Sequence, residues 1–130
     1  MQLDSSSRLP LAPDLDQTLQ EARAIADGVG QALSTAHLLF ALFTVPNPAE
    51  VLLRERGVDE DVLLGLMPRS AHDLPKAVRA VLDAAEQTAL RCDARQTNTL
   101  HLLIGVLRCK DCVAHDLLER AAGPAPKLRN

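Results

Sequence analysis

This chain repeats itself, and the repetition limits its possible folds more than any other feature. His101-Leu102-Leu103-Ile104-Gly105-Val106-Leu107 restates His37-Leu38-Leu39-Phe40-Ala41-Leu42-Phe43 at an offset of 64 residues. A threonine stands two positions before each histidine (Thr35, Thr99). Each run then leads through a short polar break into a Leu-Leu pair, Leu52-Leu53 or Leu117-Leu118. Upstream, Leu15, Leu19, Ala22, Ala26 and Val29 advance in steps of four and three, as do Val78, Leu82, Ala85 and Ala89 ahead of Cys92. Both sets have the period of the buried stripe on an amphipathic helix. Self-similarity at this spacing marks one supersecondary unit used twice. The unit is a long amphipathic helix, a loop, a capped apolar helix, a break, and a shorter helix ending near glycine.

Composition narrows the class further. Aromatic residues make up 2% of the chain, with no Trp or Tyr. Leucine and alanine dominate, which favours helices packed through aliphatic ridges over a sheet built from Val, Ile and aromatics. A length of 130 residues fits one domain able to bury a core without staples. The formal charge of −3 gives no basic footprint for nucleic acid. No apolar run reaches membrane-spanning length, and Met1 to Pro13 lacks the charged start and apolar centre of a signal peptide. Three cysteines in no disulfide-like framework suit a reducing cytosol. The expectation is a cytoplasmic, all-α domain of about seven helices in two pseudo-symmetric repeats.

In chain order, residues 1–13 read as a flexible leader, with Ser5-Ser6-Ser7 and two prolines. The domain spans 14–123, with repeat one over 14–67 and repeat two over 75–123; residues 124–130 form a tail. Asp14 or Asp16 is the expected cap of the first helix, which runs to about Asp27. Gly28-Val29-Gly30 follows a helix rather than a strand and lacks a lysine-serine pair, so it reads as a helix-terminating turn and not a phosphate loop. Ser34 or Thr35 caps the second helix, and Pro46-Asn47-Pro48 stops it. A third helix covers Ala49 to Arg56, with Gly57 as its left-handed end. Asp59 caps a short fourth helix to about Leu66. Pro68 to Leu74 is a linker, and Pro75 opens the long helix of repeat two, which runs to about Cys92. Thr97, Asn98 or Thr99 caps the next helix. Lys110 or Asp111 begins the last, through Arg120, with Gly123-Pro124 closing it.

The pattern Thr-x-His-Leu-Leu-x-x-Leu, with Val106 at the last place of the second copy, followed by Ala-x-x-Leu-Leu, seen from Thr35 to Leu53 and again from Thr99 to Leu118, resembles the N-terminal domain of the Clp family of AAA+ unfoldases. The resemblance covers roughly residues 14 to 123. It implies a tandem helical repeat that recognises substrates, degrons or adaptor proteins for an ATP-driven ring. Partners would be such proteins and possibly a Clp ATPase ring or protease core. The chain departs from the family, which usually carries a fourth helix in repeat two. Family members that read phosphorylated arginine place a glutamate between the threonine and the histidine. Ala36 and Leu100 stand there instead, so that activity does not carry over. Residues at helix starts are usually exposed, so Ala36 and Leu100 are expected to offer an apolar spot in each repeat, beside Thr35 and Thr99. These four residues are the expected protein-binding site.

The remaining constellations carry less chemistry. His37 and His101 have no acidic or thiol company in the local sequence and read as structural, each ring bonded to a nearby carbonyl. Cys109-x-x-Cys112-x-x-His115 has a spacing that can grip zinc, but no second ligand pair exists, and the equivalent place in repeat one, Val45 to Ala49, holds no ligand types. Charges such as Arg54-Glu55-Arg56 and Asp59-Glu60-Asp61 read as solvated surface and capping. No nucleophile-base set, no Gly-x-Ser-x-Gly and no Gly-x-x-x-x-Gly-Lys-Ser/Thr is present. The expectation is therefore a non-enzymatic protein-binding domain without cofactor. The alternative is a small helical metal or redox sensor built on Cys109, Cys112 and His115. A third reading is a scaffold that has borrowed the repeat.

Overall fold

The computed structural model describes residues 9–67, 73 and 76–121. Seven α-helices lie among them: α1 (Pro13–Gly28), α2 (Thr35–Ala41), α3 (Pro48–Glu55), α4 (Glu60–Leu66), α5 (Ala77–Arg91), α6 (Thr99–Arg108) and α7 (Val113–Ala121). No strand occurs among the described residues; a single parallel bridge joins Leu11 to Thr97. The all-α class read from the sequence holds. The stretches 1–8, 68–72, 74–75 and 122–130 lie outside the described residues. With them go most of the expected leader and linker, the opening at Pro75, the Gly123-Pro124 close and the tail.

Helix starts follow local chemistry. The side chains of Ser34, Asn47, Asp59 and Asn98 each accept a backbone N–H in the first turn of the helix they precede. Helix α1 differs from expectation. Ala12 is its cap residue and Pro13 its first helical residue, so no side-chain cap is present. A proline there needs no N–H partner and is already set at a helical φ. Asp14 is thereby released for another task. Gly30 and Gly57 occupy left-handed conformations just past α1 and α3, at φ 68° and 83°, where a Cβ would be strained.

The expected leader is anchored from Leu9 onward. Leu9 N–H donates to Glu86 Oε2 at 2.9 Å. Thr97 N–H donates to the Pro10 carbonyl at 3.0 Å and Ala12 N–H to the Thr97 carbonyl at 2.8 Å. Residues 9–12 thus cross from the start of α1 to the loop before α6.

All seven helices feed one apolar core. Leu15 and Leu19 of α1 meet Leu38 and Leu39 of α2, Ala49 and Leu53 of α3, Leu63 of α4, Val81 of α5, Leu102 and Val106 of α6, and Leu117 of α7. Several helix pairings match between the halves, whereas α7 packs in addition on α4 and on α6. Helix α1 packs on α2 as α5 packs on α6; α2 meets α7 as α6 meets α3; α1 also touches α6, and α5 touches α2.

Candidate functional site

Thr35 and Thr99 are both fully buried, and each hydroxyl is spent on a carboxylate from the other half of the chain. Thr99 Oγ1 donates to Asp14 Oδ2 at 2.9 Å. Thr35 Oγ1 donates to Asp73 Oδ1 at 2.8 Å, and Thr35 N–H to Asp73 Oδ2 at 2.6 Å. Asp73 Oδ1 also accepts the Val113 N–H at 2.9 Å, while Thr35 Oγ1 accepts the Ala114 N–H at 3.0 Å. One carboxylate therefore ties the starts of α2 and α7 together. Charge-assisted bonds of this kind are the stronger class. The threonines are held inside the fold and offer no hydroxyl to a ligand.

Ala36 corrects the expectation of an exposed apolar spot in each half. Only 2% of it is exposed, because the start of α2 is covered where α7 joins it at Thr35 and Asp73. Leu100, its counterpart, stays half-buried. It is the first residue of an outward stripe, Leu100, Ile104 and Leu107, with Ile104 and Leu107 exposed at 40% and 46%. Steps of four and three keep all three on one side of α6. Leu102, Leu103 and Val106 fill its inner side. The sequence shows α6 as apolar nearly all round, which predicts full burial; the structure leaves this one strip open.

Of the corresponding residues of the first half, Ala36 and Phe43 are buried and Phe40 is half-buried. Helix α2 stops at Ala41, three residues short of where α6 ends by the repeat register. Pro46 has no N–H to give to the Leu42 carbonyl. The Asn47 side-chain amide takes that role, donating to Leu42 O at 2.8 Å and to Val45 O at 2.6 Å. Phe43 thus sits in a turn and faces inward, 7% exposed, with the Arg54 guanidinium 5.2 Å from its ring centre. Glu119 occupies the position on α7 that matches Arg54, exposed and directed to His115 at 3.5 Å. It leaves Leu107 uncovered.

The histidines have clear tasks. His37 Nδ1 accepts the Ser34 N–H, and His101 Nδ1 accepts the Asn98 N–H, each at 3.0 Å. Ser34 Oγ and Asn98 Oδ1 accept the histidine N–H groups in return. These are capping boxes with histidine at the third helical position, where glutamate or glutamine is usual. Among the described residues the expected carbonyl partner appears as Gln31 Oε1, 3.0 Å from His37 Nε2. Burial pushes both imidazoles below their ordinary range, and the nearby carboxylates of Asp73 and Asp14 offset part of that.

Cys109, Cys112 and His115 do not converge. His115 Nδ1 lies 3.2 Å from the Val106 carbonyl, and its Nε2 faces Glu119. Among the described residues no three His, Cys, Asp or Glu side chains gather closely enough to hold a metal ion. The two cysteines do share a turn and border one open cleft of about 480 Å³ between α5 and the α6–α7 connection. Near the start of α6, Asp14 Oδ1 and Thr97 Oγ1 are buried without a hydrogen-bond partner, each a desolvation cost of ~1–3 kcal/mol.

The comparisons with known proteins add no relative: no family model matches the sequence, and no curated protein matches it.

Proposed function

We propose that this chain is a non-enzymatic protein-recognition domain of the kind Clp-type AAA+ unfoldases carry, working either inside a longer chain or as a separate cytoplasmic accessory protein. On this reading the two halves are copies of one helical unit, and the second copy has kept an open face for a partner. The observation that carries the reading is the stripe of Leu100, Ile104 and Leu107 on α6. A helix whose other side is core presents Ile104 and Leu107 to solvent, with half-buried Leu100 on the same side, the pattern with which a helical or extended apolar segment is gripped. The matching helix pairings and the two histidine capping boxes support the repeat. Among the described residues no helix is long and apolar enough to cross a membrane.

The partner is a protein segment with apolar side chains at helical or alternating spacing. The test uses a fluorescent, permanently unfolded and alkylated model protein as probe. Ile104→Glu places a charge in the middle of the stripe and is expected to weaken binding at least roughly tenfold, about 1.4 kcal/mol. Leu64→Glu, at an exposed apolar position on α4, is expected to leave it unchanged. Equal binding by Ile104→Glu and the parent chain sinks the proposal. A second arm grafts the chain onto an unfoldase ring stripped of its own N-terminal domain. Restored unfolding of the same probe, lost again with Ile104→Glu, supports the Clp assignment; no restoration counts against it.

A further inference from the structure

We propose that Cys109 and Cys112 are a disulfide-forming pair, a reversible oxidation site at the connection between α6 and α7. All three cysteines are free thiols in the structure. The Cys112 N–H donates to the Cys109 carbonyl at 3.3 Å, which closes a four-residue turn through Lys110 and Asp111. Such a turn brings its first and last Cα atoms within about 7 Å, the separation a disulfide can bridge. Both residues border the same cleft beside Ala77 and Ala80. Cys109 is half-exposed there and Cys112 is buried behind it. The outer thiol is placed to meet a soluble oxidant, and the inner one to resolve the product.

The third cysteine is out of range. Cys92 follows the last residue of α5, whereas Cys109 lies by its first turns. With a rise of 1.5 Å per residue, the ends of that helix stand roughly 20 Å apart. The pairing is therefore fixed as Cys109 with Cys112.

The reaction needs a small disulfide such as oxidised glutathione. The Cys109 thiolate attacks it, one glutathione thiolate leaves, and a mixed disulfide forms on Cys109. Cys112 loses its proton to solvent and attacks the Cys109 sulfur, and the second glutathione thiolate departs. Two protein thiols have given up two electrons and two protons, and one small disulfide has become two thiols. Burial, then the neighbouring Cys112, hold the Cys109 thiol above its ordinary range, with Asp111 adding to the shift and Arg108 opposing it. Attack is accordingly slow at neutral pH and quickens as pH rises, because the thiolate is the nucleophile.

Two consequences follow from the surroundings. Cys112 Sγ accepts the His115 N–H at 3.4 Å at the start of α7, and a disulfide sulfur keeps its lone pairs, so oxidation does not by itself uncap the helix. The cross-link instead stiffens the junction two residues beyond Leu107, at one end of the open stripe. The oxidation site itself does not depend on what the stripe binds.

The experiment treats the full chain in native buffer at pH 8 with oxidised glutathione, then alkylates it under denaturing conditions and weighs it intact. The expected product has lost about 2 Da and takes one alkyl group, on Cys92, where the untreated chain takes one on each of its three thiols. Dithiothreitol restores all three. Cys92→Ser is expected to show the same mass loss and to take no alkyl group after oxidation. Three alkylations after treatment overturn the proposal, as does a lasting glutathione adduct on Cys109 with Cys112 still alkylated, or a disulfide that involves Cys92. Cys112→Ser is expected to stop at the adduct on Cys109; if that variant does not fold, the wild-type and Cys92→Ser masses decide alone.

Discussion

A histidine at the third position of a capping box makes a helix start sensitive to protons. His37 and His101 accept a backbone N–H through Nδ1, so Nδ1 must be bare and the ring proton must sit on Nε2. Protonation puts the ring's second proton on that Nδ1 and breaks the box. Burial has lowered both pKa values below 6.5. Between the lowered folded value and 6.5 the unfolded chain binds more protons than the folded one, so stability rises with pH across that window. The contribution is full above about 6.5 and is lost as pH falls from there toward the folded values. Glutamine is a usual residue at this position and does not titrate. The double variant His37→Gln, His101→Gln is expected to match the parent at pH 7.5 to within about 1 kcal/mol, the scale of a cap. It should lose less stability than the parent between pH 7.5 and 5.5, as read by urea unfolding. A parent chain as flat as the variant over that range would refute the assignment. The spacing Ser34-x-x-His37 and Asn98-x-x-His101 was legible in the sequence. The role was not, because the capping-box pattern is usually recognised by a carboxylate or amide at its last place.

At the scale of elements, the two halves differ where a single residue decides how closely or how far a helix can run. Gly105 sits where α6 crosses α5, and a Cβ built on it would stand 2.6 Å from the Val81 carbonyl oxygen and 3.0 Å from the Ala85 amide nitrogen. Both neighbours are helix backbone and cannot swing aside. Ala41 fills the matching place on α2, fully buried, so the first half accepts a methyl group where the second cannot. Gly105→Ala is expected to destabilise by ~1–3 kcal/mol through overpacking, outweighing the ~1 kcal/mol that alanine gains in helix propensity. Thermal unfolding followed by circular dichroism checks it, and a variant as stable as the parent would mean the helices separate at little cost. Helix number and order were legible from the 3.6-residue period, and so were most ends, from Pro48, Gly57 and Asp59; the cap at Asn47 was not read. The early end of α2 was partly legible from Pro46. The inward turn of Phe43 was not, because it depends on Arg54 and on the Asn47 amide reaching Leu42. Ala36 was misplaced for a related reason: burial at a helix start comes from another element, here α7, and no local pattern reports it.

For the molecule as a whole, the buried threonine hydroxyls and the segment before α1 make polar ties between the halves. Asp14 holds Thr99, Asp73 holds Thr35, and residues 9–12 bond to Thr97. Apolar contacts also cross between the halves, where α2 and α4 lie on α7 and α3 on α6, although the most extensive pairings, α5 with α6 and α1 with α2, lie within them. Each half alone would expose the sides of two short helices, and the buried hydroxyls of Thr35 and Thr99 would lose their carboxylates. Helices of seven to ten residues, such as α2 and α6, are too short to persist in water without tertiary packing. Residues 1–67 and 68–130, made as separate chains, are therefore each expected to lack a cooperative unfolding transition. Mixed at equal concentration, they should regain helical circular dichroism and dispersed amide resonances as a one-to-one complex. The parent chain, by the same logic, should unfold in one step with coincident transitions by different probes. A cooperative transition in either isolated half would show that the crossed contacts decorate two self-sufficient bundles. Their failure to reassociate would show that the joining segment does more than connect. Either result would move the open stripe on α6 from a feature of the assembled domain to a feature of one half, and binding by residues 68–130 alone, assayed with the same unfolded probe, would then distinguish the two.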